Sequence, residues 1–294
     1  MGAQDGPQLL RPSGNLRRRR IVNRLMESLA TGAALLAVGV LAVVVVSVAQ
    51  RGAGALSLDF FTKSPAVFGQ AGGGIAPAIV GTALLVLVAT AIALPLGVLT
   101  ALFLSEFASP RVAQPVRLVL DLLNGLPSIV VGVFVFGLLV VGQTQSGIAG
   151  GFSLAVIMVP LVARATQEVL LLVPEALREG ALALGVSRWR TVVGIVLPSS
   201  LGGILTATVL AVARAAGETA PLLFTSSIFA NTVVTDVRQA LPNIPVTIFT
   251  LSESPDPADH QRAWAAALVL MGFVLVTSLT ARALLTRSRR KLGR

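Results

Sequence analysis

Six apolar runs dominate the chain, at residues 29–49, 77–104, 127–142, 152–172, 199–225 and 263–285, and the first three of them contain no charged side chain. A helix of about 20 apolar residues crosses the hydrocarbon core of a bilayer, and inside that core the backbone must satisfy its own hydrogen bonds. Runs of this length and number predict an all-α polytopic membrane protein with six transmembrane helices. Composition excludes a soluble globular fold: 54% of the residues are hydrophobic, 12% are charged and mean hydropathy is +0.85.

The formal net charge of +10 invites a nucleic-acid reading, but the arginines sit in short clusters flanking the apolar runs, which is how charge orients a membrane protein. Assigning alternate loops to one side collects 18 of the 23 Lys and Arg residues there, including Arg17–Arg20, Arg188, Arg190 and the tail from Arg287. The opposite side holds Arg51, Lys63, Arg238 and Arg262. Positive residues stay inside, so the basic tails 1–28 and 286–294 and the polar stretch 173–198 are expected in the cytoplasm, with 50–76 as an external loop. The first apolar run is long and has no small-residue cleavage site after it, so it is expected to stay as an anchor. There is no cysteine, and His260 is the sole histidine. Neither a thiolate metal site nor a catalytic centre is expected, and no cofactor is implied.

Several details refine the spans. Pro95 should kink the second unless neighbours satisfy the carbonyl it frees. Asn124-Gly125-Leu126-Pro127 breaks the chain before the third and reads as a helix boundary after a short interfacial helix. Residues 226–262, with Pro242, Pro245, Pro255 and Pro257, read as a long polar loop, and Trp264 sits where aromatic anchors mark a membrane interface.

The stretch 173–198 is too polar to span and too apolar to be a simple loop. Pro174 fits a first helical position, Gly185 can take the left-handed conformation that closes a helix, and Ser187 can cap a second helix running to Pro198. Leu177, Ala181, Leu182 and Leu184 give that first helix apolar anchors suited to a groove on another protein, the alternative being an amphipathic helix resting on the membrane surface. The stretch resembles the coupling loop of bacterial ABC importer permeases, whose pattern is Glu-Ala-Ala, three residues, Gly, nine residues, Ile, one residue and Leu-Pro. Glu179, Gly180, Ala181, Gly185, Ile195, Leu197 and Pro198 stand at those spacings. Gly180 departs from the usual Ala, which weakens a helix by about 1 kcal/mol and leaves room for close backbone contact.

One charge remains inside the membrane. Arg214 lies within the fifth span, where a charge costs at least about 2.5–3.5 kcal/mol, and Glu218 follows four residues later on the same helix face, where the two can pair. Two readings fit: a self-compensating pair that locks helix packing, or an arginine that offers its planar donor fork to an oxyanion while Glu218 holds it and Thr219 adds a hydroxyl. Arg214-Ala-Ala-Gly-Glu-Thr-Ala-Pro-Leu-Leu-Phe-Thr225 resembles the fifth-span motif of the A-type permease subunit of bacterial phosphate-specific transport systems. Gly72-Gly73-Gly74-Ile75, Gly81-Thr82, Leu104-Ser105-Glu106-Phe107 and Ala263-Trp264 resemble that family in the same order, with Phe107 a departure, over about residues 55–285.

The resemblance implies a non-catalytic subunit of an inorganic phosphate importer. It implies a heterodimer with a second permease subunit in the lipid bilayer, an ATPase dimer on the coupling loop and an external phosphate-binding protein. The two lysines, Lys63 and Lys291, lie outside any Walker A context, so the energy must come through the cytoplasmic loop. A permease for phosphonate, sulfate or molybdate, and a proton-coupled carrier working through Glu218, are the rival readings.

Overall fold

The computed structural model describes residues 15–66, 72–227 and 232–292. The chain divides after Gln50 into two compact units. The described residues of the first belong to one helix, α1 (Asn15–Gly52), which contains the first apolar run. The expected cytoplasmic tail from residue 1 lies partly outside the described residues.

Near the start of the second unit, after a tight turn at Ala53–Ala55, a short helix, α2 (Leu58–Thr62), lies inside what the sequence predicts as a plain loop. Ser57 Oγ caps it by accepting from Phe60 N–H at 3.2 Å. Phe60 is fully buried with Ile75, Ala78, Ile244, Ala265 and Ala266, so this segment is packed down by an aromatic anchor.

Helix α3 (Ala76–Leu102) runs through Pro95 without interruption and ends in a widened turn, Phe103–Phe107. Helix α4 (Pro110–Gly125) and helix α5 (Ser128–Val135, continued by a widened turn to Val140) meet at 99° across Leu126-Pro127. The break stands where Asn-Gly-Leu-Pro placed it, because Pro127 has no N–H for helix α4 to use and holds the preceding residue out of the helical region. At 1.5 Å per residue the segment 128–140 is about 20 Å long, short of a full crossing by itself. Among the described residues, five helices are long and apolar enough to cross a membrane, or six if this bent pair makes one span.

Helix α6 (Gly147–Leu171) lies along α3 and forms the centre of the unit. Leu85, Ala89 and Ala93 of α3 meet Leu154, Ala155, Met158 and Val162 of α6, together with Ala211 and Ala215 of the later helix α9 (Leu197–Ala215). Small residues let these backbones approach, which is how helices associate where lipid supplies no hydrophobic driving force. Between α6 and α9 lie α7 (Glu175–Ala183) and α8 (Arg188–Thr191), the latter joined to α9 through a widened turn, Val192–Val196.

Three expectations need correction. The fifth span is not one helix over 199–225: α9 stops at Ala215 and α10 (Ala220–Thr225) begins after a four-residue break. The loop 226–262 contains α11 (Ile244–Ser252), and the last helix, α12 (Pro257–Leu292), starts before residue 263. Asn243 Oδ1 caps α11 by accepting from Val246 N–H at 3.0 Å, and Pro245 sits in its first turn, where a missing N–H costs nothing. Pro245 and Pro257 thus start helices instead of excluding them. The Gly81-Thr82 motif has its reason here as well: a Cβ at Gly81 would lie 1.8 Å from the Pro242 carbonyl oxygen, and Thr82 Oγ1 accepts from Ile244 N–H at 2.9 Å. Trp264 on α12 carries the Arg51 guanidinium over its ring at 4.9 Å.

Candidate functional site

The site residues expected from the sequence fall at two places, one at the α7–α8 elbow and one at the break between α9 and α10. Pro174 stands one position earlier than expected, as the residue before α7 with extended backbone, and Glu175 begins the helix. The helix closes as the sequence indicated: Gly185 has φ +78°, its N–H donates to Leu182 O at 2.9 Å, and Val186 N–H donates to Ala181 O at 3.1 Å. Ser187 precedes α8, but its side chain makes no capping hydrogen bond; its carbonyl instead accepts from Thr191 N–H at 3.0 Å.

Ala181 is buried, while Leu177, Leu182 and Leu184 are exposed, Leu184 at 84%. Glu179 and Gly180 also face outward, and a Cβ at Gly180 would meet nothing within 4 Å. The space beside that backbone is open. Pro198, without an N–H, cannot bond the carbonyl four residues back, and the widened turn just before it absorbs the mismatch. Ile195 and Leu197 are half-buried, so the elbow passes directly into α9 as a continuous element.

The second place is the α9–α10 break. Gly217 N–H donates to Arg214 O and Glu218 N–H to Ala215 O, each at 3.1 Å, which tightens the last turn and ends the helix. Glu218 is therefore outside α9, not on its face as a continuous span would place it. Arg214 Nε nevertheless reaches Glu218 Oε1 at 3.9 Å. The Arg214 side chain is 63% exposed and that of Glu218 18%. The Arg214 side chain makes no hydrogen bond among the described residues, leaving its donor fork open. Thr219, half-buried, precedes α10 without capping it.

Helix α10 is too short to hold itself and is fixed from outside. Gln145 Nε2 donates to Leu223 O and Phe224 O at 3.3 and 3.2 Å, and Ser146 N–H donates to Thr225 O at 3.1 Å. Phe224 meets Phe136 of the α5 segment edge-on, with ring centroids 6.4 Å apart. One broken helix thus packs against another, which sets Arg214 at a place where backbone and side chain both offer polar groups.

The family model for binding-protein-dependent transport system inner membrane components matches residues 93–290. The chain belongs to that family of transport permeases. A phosphate transport system permease protein from Yersinia pestis is 40% identical over 92% of this chain and 92% of its own length. A probable phosphate transport system permease protein from Methanocaldococcus jannaschii is 36% identical over 86% of this chain and 90% of its own. Among solved structures, a bacterial alginate ABC transporter chain aligns with TM-score 0.60 at 16% identity, covering 90% of this chain and 94% of that one. A chain of the MetNI methionine ABC transporter aligns with TM-score 0.54 at 19% identity, covering 72% and 94%. At such identities the structures show the fold alone, that of an ABC importer permease.

The permease is thus a multi-pass inner-membrane component, and membership implies an ATPase, a binding protein and permease subunits as partners. Its structure also exposes a cluster that the sequence did not assign. Glu106, at the end of α3, is 5% exposed and accepts from Arg178 Nε at 3.2 Å and Nη2 at 3.0 Å. Arg178 further donates to Val173 O, Leu170 O and Glu175 Oε2 at 2.7, 2.9 and 3.2 Å. The two residues are 72 positions apart, so no local spacing announces the pair. The one available signal was Glu106 itself, an acid at the end of an apolar run.

Proposed function

We propose that this permease, as a heterodimer with a second permease subunit, forms the path by which inorganic phosphate enters the cell, and that Arg214 meets the anion there. The open donor fork of Arg214 carries the reading. A guanidinium that is 63% exposed within an apolar span cannot face lipid without a cost of at least about 2.5 kcal/mol. It must face water, an anion or another subunit. A 3.9 Å contact with Glu218 is too long to satisfy it and favours the anion reading over a self-contained pair. Glu218 orients the arginine, and the Thr219 hydroxyl adds a donor. The phosphate permeases at 40% and 36% identity supply the choice of oxyanion.

In this reading the elbow is cytoplasmic, as are both termini. Glu179, Gly180, Ala181 and Gly185 shape the face that enters a groove on the ATPase dimer, where the exposed Leu182 and Leu184 are anchors. Closure of the ATPases pushes the elbow, and Ile195, Leu197 and Pro198 pass the movement into α9, switching the exposure of Arg214 from the side of the phosphate-binding protein to the cytoplasm. The test is uptake of radiolabelled phosphate by proteoliposomes holding the complete complex. Arg214→Ala is expected to lower uptake about 30-fold or more, the loss of one charge-assisted anion contact of roughly 2–3 kcal/mol. Unchanged uptake in a normally assembled complex rules the role out. Competition by sulfate, molybdate or phosphonate in the same assay identifies the oxyanion, and uptake abolished by an uncoupler but indifferent to ATP would point to the proton-coupled carrier.

A further inference from the structure

We propose that Glu106 is a positioning residue for energy coupling, one that ties the elbow to α3 so that a push on α7 moves α3 and α9 together. The inference rests on the reading of the elbow as the ATPase contact, and it adds a second mechanical route to the one through Pro198.

The end of α3 grips both arms of the elbow with consecutive residues. Glu106 holds Arg178 of α7 through two hydrogen bonds to one carboxylate oxygen, 3.2 and 3.0 Å long. Phe107 lies under the Arg188 guanidinium at 5.6 Å and beside the Trp189 ring at 6.3 Å, both at the start of α8. Arg178 also bonds the carbonyls of Leu170 and Val173 at the end of α6. One guanidinium therefore joins the ends of three elements, α3, α6 and α7.

An apolar cluster of equal volume would hold these ends in place at least as well, because burying a charge pair is seldom the most stable arrangement. What a saturated guanidinium adds is direction: its planar donors fix the orientation of each partner. The far part of α3 then reaches the candidate anion site, since Leu85, Ala89 and Ala93 share a core with Ala211 and Ala215, the latter next to Arg214.

The experiment uses the whole complex in proteoliposomes with the external binding protein, and reads phosphate moved per ATP hydrolysed by intact complexes isolated by size exclusion. Glu106→Gln keeps the shape and removes the charge; Glu106→Asp keeps the charge and shortens the reach. Glu106→Gln is expected to hydrolyse ATP within about twofold of the unaltered complex while transport per ATP falls about tenfold, with Glu106→Asp between the two. A ratio unchanged in Glu106→Gln overturns the inference. So does failure of both variants to assemble, which would make Glu106 a folding residue only. If the unaltered complex moves no phosphate, the reading beneath fails; if it does and the variant keeps the ratio, only this inference fails.

Discussion

Two of the permease's arginine–glutamate pairs use the same groups in opposite ways. At the elbow, Arg178 and Glu106 lie 3.0 Å apart with side chains only 14% and 6% exposed. At the α9–α10 break, Arg214 and Glu218 lie 3.9 Å apart, and the arginine is 63% exposed. The first arginine spends its donors on protein carbonyls and carboxylates. The second keeps them available. A saturated charge joins elements into one body, whereas an unsaturated one in an apolar span is poised for something that arrives and leaves. The difference comes from the backbone around each: three helix ends converge on Arg178, but one helix end and a break surround Arg214.

The comparison breaks most visibly in stability. Arg178→Ala leaves the Glu106 carboxylate buried without its partner, and a loss of about 3–5 kcal/mol is expected, read as a fall in the yield and melting temperature of purified complex. Arg214→Ala, by contrast, should alter stability by no more than about 0.5–1 kcal/mol in the same measurement, although it suppresses uptake. Equal destabilisation by the two variants would erase the distinction. The smallest effect is expected at Glu218. Glu218→Gln removes an orienting charge but no anion contact, so uptake should fall about two- to fivefold, consistent with a weak pair worth about 0.5–1 kcal/mol. A loss as large as that of Arg214→Ala would mean that the carboxylate does more than orient.

Much of the architecture was legible in the residues, and for physical reasons. Apolar runs near 20 residues have one use in a membrane, the elbow carries local signals in Gly185 for the left-handed closure of α7 and Ser187 before α8, and Asn-Gly-Leu-Pro marks the 99° bend between α4 and α5. What escaped was either tertiary or ambiguous. Residues 211–216 are alanine-rich and read as continuing helix, yet Gly217 and Pro221 together end α9 and restart the chain as α10. Asn243 and Pro245 lie in a proline-rich polar stretch that reads as loop, yet they open α11. Glu106 and Arg178 meet only because α3, α6 and α7 end at the same level, which no spacing encodes. Arg214 drew notice from the sequence because a charge in an apolar run is costly, but its exposure and its open donors belong to the fold.

This chain carries no cysteine, so a thiol introduced into it is the one thiol the subunit contributes to the complex. Arg214→Cys places a single thiol at the candidate anion contact, where a water-soluble cationic thiol reagent can reach it only if the position faces an aqueous path, since the thiolate that reacts forms in water and not in lipid. The account predicts that the variant complex transports little phosphate, that the reagent modifies the thiol, that phosphate slows the modification, and that the restored positive charge recovers part of the uptake. A thiol that stays unreactive throughout the ATP cycle, or one whose modification is indifferent to phosphate, would contradict it.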